Sequence, residues 1–283
     1  NQGPNPKPVI VLKSGRTEAG AGAIASHTGS LAGGDAAYNA LFDQAGMIRA
    51  QSIKELFDYA QVFARNELAH VDNVAIVTNA GGPGVLTTDE VVDNGLEMAE
   101  ISGETKEKLE EYLPEAASAH NPIDVLGDSR ADRYKYSLEV LAEDDNVDGM
   151  IVILTPQSMT EVEETAKAII EVDQKTDKPI AVSFMGAPTV KPGVEKMNQA
   201  DIATATFPEA AAKSLATFGK YQALTEQEES EFLQYKDVNK AKVEKIFAEA
   251  KQKGQTAFPE AQAMEIMKAY NFPLLQSEVA TSP

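Results

Sequence analysis

The stretch VAIVTNAGGPGVLTTD, residues 74–89, decides the fold. Four apolar residues run together without polar alternation, as in a strand covered on both faces. A Thr-Asn-Ala turn follows, and GGPG at 81–84 opens a helix expected to run to about Asn94. The same strand–turn–helix grammar recurs downstream. Residues 96–101 read as a short strand and 103–113 as a charged helix. PIDVL at 122–126 reads as a strand, followed by a helix over 131–143. GMIVIL at 149–154 is a strongly apolar strand, followed by a helix over 161–173. Residues 179–185 are a strand, 190–199 a helix, 202–205 a short strand, and 208–224 a helix with proline in its first turn. Strands dense in Val and Ile that alternate with helices predict a parallel sheet with crossover helices. The fold class expected for residues 71–224 is therefore α/β, a flavodoxin-like doubly wound parallel sheet.

Upstream, PVIVLKSG at 8–15 reads as a buried strand. Residues 16–34 read as a long small-residue loop with five glycines between 20 and 34, and 35–46 and 53–64 have helical spacing. One strand and two helices cannot bury a sheet. The first 50 residues are expected to complete a sheet supplied by another chain, in preference to packing onto the main domain. Residues 1–8 read as an extended, proline-containing lead-in to a chain entered in the middle. Downstream, 225–254 is charged and helical, 259–270 reads as a helix, and FPLL at 272–275 as the start of a strand belonging to a further domain.

Composition excludes several function classes. The chain has 283 residues, 43% of them hydrophobic, enough for a substantial core and about two domains. No apolar run approaches the roughly 20 residues of a membrane span, and residues 1–8 do not read as a secretory-type leader. Zero cysteines rule out disulfides and cysteine nucleophiles or ligands and fit a cytoplasmic protein. A net charge of −19 without a basic patch argues against nucleic acid as a partner. No metal-ligand constellation is recognised.

Three histidines are available. His70 and His120 stand in polar connections and read as surface residues. His27 stands in ASHTGSLAGGD, where small neighbours leave the imidazole unhindered and let backbone amides approach a bound group. Context alone leaves it equally open to a functional or an inert reading. Lys13 and Arg16 could bind an anion, and Glu18 could orient the imidazole. The turn TNAGGPGV at 78–85, with Gly81, Gly82, Pro83, Gly84 and Val85 at the helix start, presents free amides at the positive end of a helix, an oxyanion site by construction, although glycine turns also simply make tight βα joints. NPID at 121–124 and LTPQSMT at 154–160 end strands on the same sheet edge, where open α/β sheets bind ligands. Thr155, Gln157, Ser158 and Thr160 are polar contacts there, or cap and turn residues.

Together, LKSGRTEAGAGAIASHTGSLAGGD, VAIVTNAGGPGVLTTD, NPIDVLGD and VILTPQSMT occur in the order found in NDP-forming acyl-CoA synthetases, the ADP-forming relatives of succinyl-CoA synthetase, and the chain resembles that family over essentially its whole length. The resemblance implies an acid–thiol ligase: acid, CoA and ATP give acyl-CoA, ADP and phosphate through an acyl phosphate. It implies that His27 is the phosphorylated histidine and carries the phosphoryl group between the acyl-CoA and nucleotide sites. It implies that residues 81–85 begin one of two helices whose N-termini hold the phosphohistidine. Gln157 and Ser158 match a substrate-side loop that is glycine-rich in the succinyl enzyme but not here. The implied organisation is the tail of one ligase domain with the phosphohistidine loop (1–50), a flavodoxin-like ligase domain (51–225), and a helical linker with the start of an ATP-grasp domain (226–283). Mg²⁺ with ATP or ADP, and CoA, are expected to bind mainly to CoA-binding and ATP-grasp segments outside this chain, in a homo- or hetero-oligomer. The chain alone is then expected to be inactive. The alternative is a non-catalytic CoA- or anion-sensing module, as in fused protein acetyltransferases, against which the presence of His27 argues.

Overall fold

The computed structural model describes residues 7–28, 34–65, 69–226, 235 and 237–275, apart from the side chains at 25, 27, 28 and 65. They divide into two compact units, Asn1–Gln227 and Glu228–Pro283. No helix among the described residues is long and apolar enough to cross a membrane.

The first unit is built on a six-stranded sheet of β3 (Asn73–Thr78), β4 (Glu97–Met98), β5 (Ile123–Asp124), β6 (Gly149–Leu154), β7 (Ile180–Phe184) and β8 (Ala203–Ala205). Every ladder is parallel, in the order β4-β3-β6-β7-β8. With β5 left out of the count, that is the flavodoxin order 2-1-3-4-5. Strand β5 joins the edge of β3 beyond β4: Asn73 and Val74 pair with Glu97 and Met98, and Val77 and Thr78 with Ile123 and Asp124. Between them the Asn121 side chain takes the place of a strand. Its Oδ1 accepts from Ile76 N at 2.9 Å, and its Nδ2 donates to Val74 O at 2.8 Å and to Ala99 O at 3.1 Å.

Side chains alternate between two cores. Ala75, Val77, Met150, Val152, Leu154, Ile180, Val182 and Phe184 face one side. There they meet α5 (Gly103–Tyr112), α6 (Ala131–Ala142), α7 (Val162–Asp173) and α8 (Lys191–Gln199). Val74, Ile76, Ile151, Ile153 and Ala181 face the other side, against α3 (Ile53–Arg65), α4 (Gly81–Asp93) and α9 (Pro208–Glu226). This three-layer arrangement is the one expected from the apolar strands and crossover helices.

The segments before α3 correct two expectations. The loop expected over 16–34 is instead a helix, α1 (Glu18–Thr28), for most of its described length. Its alanines favour helix, and Thr17 Oγ1 accepts from Gly20 N at 3.1 Å at its start. A strand absent from the sequence reading, β2 (Ile48–Ala50), follows α2 (Asp35–Gln44) and pairs in parallel with β1 (Ile10–Leu12). Three residues are too few to show periodicity. The small sheet packs inside the chain, with Ile48 and Ala50 against Tyr59 of α3 and Tyr221 of α9. Within the chain, β1 and β2 thus pack on the main domain as a sheet of two strands, with Val9 and Leu12 left exposed. Phe63 ties the region together, 5.3 Å from the rings of both Phe218 and Tyr221.

The second unit contains α10 (Lys240–Gln252) and α11 (Glu260–Ala269), joined by a Phe247–Phe258 contact at 5.3 Å. The strand expected at 272–275 is not formed; these residues make no ladder, and Phe272 and Leu275 are exposed.

Helix α9 lies so close to the chain entering β3 that a Cβ on Gly219 would stand 2.5 Å from the Val71 carbonyl oxygen. Gly219→Ala is expected to lower unfolding free energy by about 1–3 kcal/mol through forced separation of backbone from helix. Gly103→Ala, which meets open space, should stay within about 0.5 kcal/mol. Urea denaturation of both variants measures the difference.

Candidate functional site

In a doubly wound sheet the ligand crevice lies at the carboxyl ends of the strands where their order reverses. Here that point lies between β3 and β6. The β3–α4 turn carries Thr78, Asn79 and Ala80 into Gly81, and the β6–α7 connection carries Thr155 to Thr160.

Asn79 joins the two. It is buried, donates from Nδ2 to Thr155 O at 2.8 Å, and accepts on Oδ1 from Thr155 N at 2.8 Å and Thr155 Oγ1 at 3.2 Å. One side chain thus closes a pair of backbone bonds across strand ends that have diverged beyond direct pairing. Thr155 and Thr160 behave as the local reading allows: Thr155 is spent on Asn79, and Thr160 Oγ1 accepts from Gln157 N at 2.9 Å. Gln157 and Ser158 are exposed beside the turn, with the Gln157 stem packed toward Gly127 of the loop after β5.

Helix α4 begins without a side-chain cap, because its N-cap is Ala80. The Thr78 hydroxyl accepts from Ala80 N at 3.0 Å, and Gly84 N donates to Ala80 O at 3.2 Å. The N–H groups of Gly81 and Gly82 have no intrahelical carbonyl to reach, Pro83 has none to offer, and both glycines are exposed. The glycines have different reasons. A Cβ on Gly84 would stand 3.0 Å from the Thr78 methyl, whereas one on Gly82 would meet nothing. Gly84 is therefore required by packing, and Gly82 leaves the approach to the amides open. Val85 and Leu86, next on the helix, are 61% and 57% exposed, an apolar shoulder beside the polar turn.

Asp124, at the end of β5, stands on the other side of the same turn. Its Oδ2 is 3.7 Å from the position a Gly81 Cβ would take. Behind it Tyr134 is fully buried and donates to Ile153 O at 2.8 Å. Burial pushes the Tyr134 hydroxyl well above its ordinary range, the nearby Asp124 charge adding to the effect, so it stays neutral. The strand-end position of NPID pointed to this edge, but nothing local in the sequence singled out Asp124 or Asn79.

The backbone of His27 lies in the last turn of α1, and its side chain is outside the described residues. Lys13 lies over the Tyr38 ring at 4.5 Å, Arg16 bonds Gln51 Oε1, and Glu18 opens α1. His70 pairs with Asp72 at 2.8 Å and is exposed, as is His120. No group of three or more His, Asp and Glu that could hold a metal ion occurs among the described residues. A cavity of about 500 Å³ opens between α3, α4 and α9. Its lysines are committed to its own carboxylates, Lys54 to Asp58 at 2.5 Å and Lys213 to Glu55 at 2.7 Å, so it offers an anion less than the α4 turn does.

Residues 74–227 match the Ligase-CoA domain family, more than half of the chain, and residues 3–63 match the succinyl-CoA ligase like flavodoxin domain. The chain belongs to the Ligase-CoA family. Its relatives include the 4-hydroxybutyrate–CoA ligase (ADP-forming) of Nitrosopumilus maritimus, 34% identical over 97% of this chain and 39% of the relative. The acetate–CoA ligase (ADP-forming) I of Archaeoglobus fulgidus is 35% identical over 93% of this chain and 37% of its own length. The alpha subunit of acetate–CoA ligase (ADP-forming) II of Pyrococcus furiosus is 39% identical over 72% and 45%. The chain thus spans about two fifths of the length of these curated relatives. A solved acetyl-coenzyme A synthetase 1 of Ca. Korarchaeum cryptofilum, in complex with phosphate and ADP, superposes with a TM-score of 0.71 at 31% identity, covering 78% of this chain and 49% of that one. The Ligase-CoA match begins at Val74, so the crevice between β3 and β6 lies within it.

If Asn79 holds the crevice together, Asn79→Ala leaves the Thr155 N–H and carbonyl unpaired. It is expected to cost about 1–3 kcal/mol in denaturant unfolding. Asn79→Asp, which keeps the acceptor and loses the donor, should fall between that variant and the parent.

Proposed function

We propose that this chain is the phosphoryl-carrying part of an ADP-forming acyl-CoA synthetase, which interconverts acid, CoA and ATP with acyl-CoA, ADP and phosphate. The observation that carries the reading is the uncapped start of α4. The exposed amides of Gly81 and Gly82 lie at the switch point of a Ligase-CoA domain, in a chain that also carries the His27 motif. In this reading residues 81–85 hold the phosphoryl group and His27 is its covalent carrier. Gln157 and Ser158 border the acyl side.

The chemistry needs little more from these residues. A neutral imidazole with an ordinary pKa of about 6.5 has a free nitrogen near pH 7. Phosphoryl transfer depends on positioning and charge stabilisation, and a helix N-terminus supplies the second without a lysine. Residues 1–50 then form the end of one ligase domain, 51–225 a second, and 226–283 a linker leading into an ATP-grasp domain. CoA and the nucleotide with its Mg²⁺ are held by the CoA-binding and ATP-grasp parts of the assembly, homo- or hetero-oligomeric, and this chain by itself does not turn over.

The test uses the complete assembly with γ-labelled ATP and Mg²⁺. An acid-labile, base-stable label on this chain is expected, and it should disappear in His27→Ala with the fold intact by circular dichroism. Label that persists unchanged in His27→Ala refutes the carrier role.

A further inference from the structure

The cavity between α3, α4 and α9 takes no part in the proposed transfer. At about 500 Å³ it lies within the size range of small-molecule sites, roughly 300–1,000 Å³. Four carboxylates line it, Glu55 and Asp58 from α3, Glu90 from α4 and Glu209 from α9, against two ammonium groups, Lys54 and Lys213. Tyr59 is buried in its wall, and Phe207, just before α9, lines it while remaining 55% exposed.

Pairing within the lining leaves negative charge over. Lys54 Nζ lies 2.5 Å from Asp58 Oδ2, and Lys213 Nζ lies 2.7 Å from Glu55 Oε1. Glu90 and Glu209 form no ion pair among the described residues; Glu90 Oε2 accepts from Asn94 Nδ2 at 3.2 Å. The nearby Arg16 is spent on Gln51 Oε1. The bond to Glu55 holds Lys213 above the usual lysine range against the effect of burial, and the Glu90 carboxylate adds to it. Two carboxylates therefore bear on one ammonium group, and the lining as a whole carries two uncompensated negative charges. A concave surface of one sign focuses its field, so it repels anions and draws cations more strongly than open surface does. A bare metal ion fits poorly, since no group of three or more His, Asp and Glu that could hold one occurs among the described residues. Aromatic walls suit an ammonium or guanidinium group instead, and apolar surface at Tyr59 and Ala210 suits an aliphatic stem.

We infer that this cavity binds a free, small organic cation that carries ammonium or guanidinium groups on an aliphatic stem. Glu90 and Glu209 meet the charged groups, and Tyr59 and Phe207 flank the stem. The inference does not depend on the carrier role of His27.

The probe is agmatine, a guanidinium and an ammonium joined by an aliphatic chain, titrated calorimetrically into this chain and into the assembled enzyme. Saturable binding of one agmatine per chain is expected in both, with none for the neutral butanediol. Combining Glu90→Gln with Glu209→Gln should raise Kd about 10-fold. Phe207→Ala, which leaves the charge alone, should raise it about threefold. Glu107→Gln with Glu111→Gln removes the same net charge from α5, on the opposite face of the sheet, and should leave Kd within about twofold. Circular dichroism confirms that each variant is folded. Absence of saturable binding, equal binding of butanediol, or an equal loss of affinity in the α5 variant overturns the inference. So does exclusion of agmatine from the assembled enzyme, because another segment of the assembly then covers the cavity.

Discussion

Strand β3 is dry on both faces, so every backbone N–H and C=O it carries must be paired along its two edges. On one edge β6 does this continuously, from Val74 opposite Gly149 to Thr78 opposite Ile153. The other edge is assembled from pieces: two residues of β4, the side chain of Asn121, and two residues of β5. Much of the molecule follows from this requirement. It draws the 121–124 segment against the sheet, and that segment brings Pro122 and Asp124 to the start of α4. It also leaves Asn79, one residue past the end of β3, to bridge to Thr155 where the strands part.

The consequence for chemistry is a helix start that is held but not filled. Alanine at the N-cap and proline in the third helical position remove the groups that would normally satisfy the first turn from within. The unsatisfied amides of Gly81 and Gly82 face solvent on a scaffold clamped from both sides. An anion site proposed there would work through preorganisation, since the dipoles need not move when charge arrives. The packing requirement at Gly84 and the open space at Gly82 divide the labour between shape and access.

The sequence showed most of the main sheet because its strands are apolar throughout and its helices start and stop at recognisable residues. Helix α4 and strand β6 were legible from GGPG and GMIVIL alone. It did not show β2, whose three residues carry no period, and it presented α1 as a loop because glycines at 20 and 22 read as breakers although neighbouring alanines sustain a helix. The site was legible in part. The open helix start at 81–82 follows from local pattern, whereas the contacts of Asn79 and Asp124 depend on residues 76 and 43 positions away, respectively Thr155 and Gly81, and no local signal encodes them. His27 was singled out by its neighbours and by the order of motifs around it.

The central claim is that the start of α4 holds the phosphoryl group carried by this chain. A crystal structure of the assembled enzyme, phosphorylated by an acyl phosphate without nucleotide, addresses it directly. The account predicts phosphoryl oxygens within about 3 Å of Gly81 N and Gly82 N, a hydrogen-bonding distance. A phosphorylated histidine in that structure held by other elements, with these two amides facing only solvent, would contradict it.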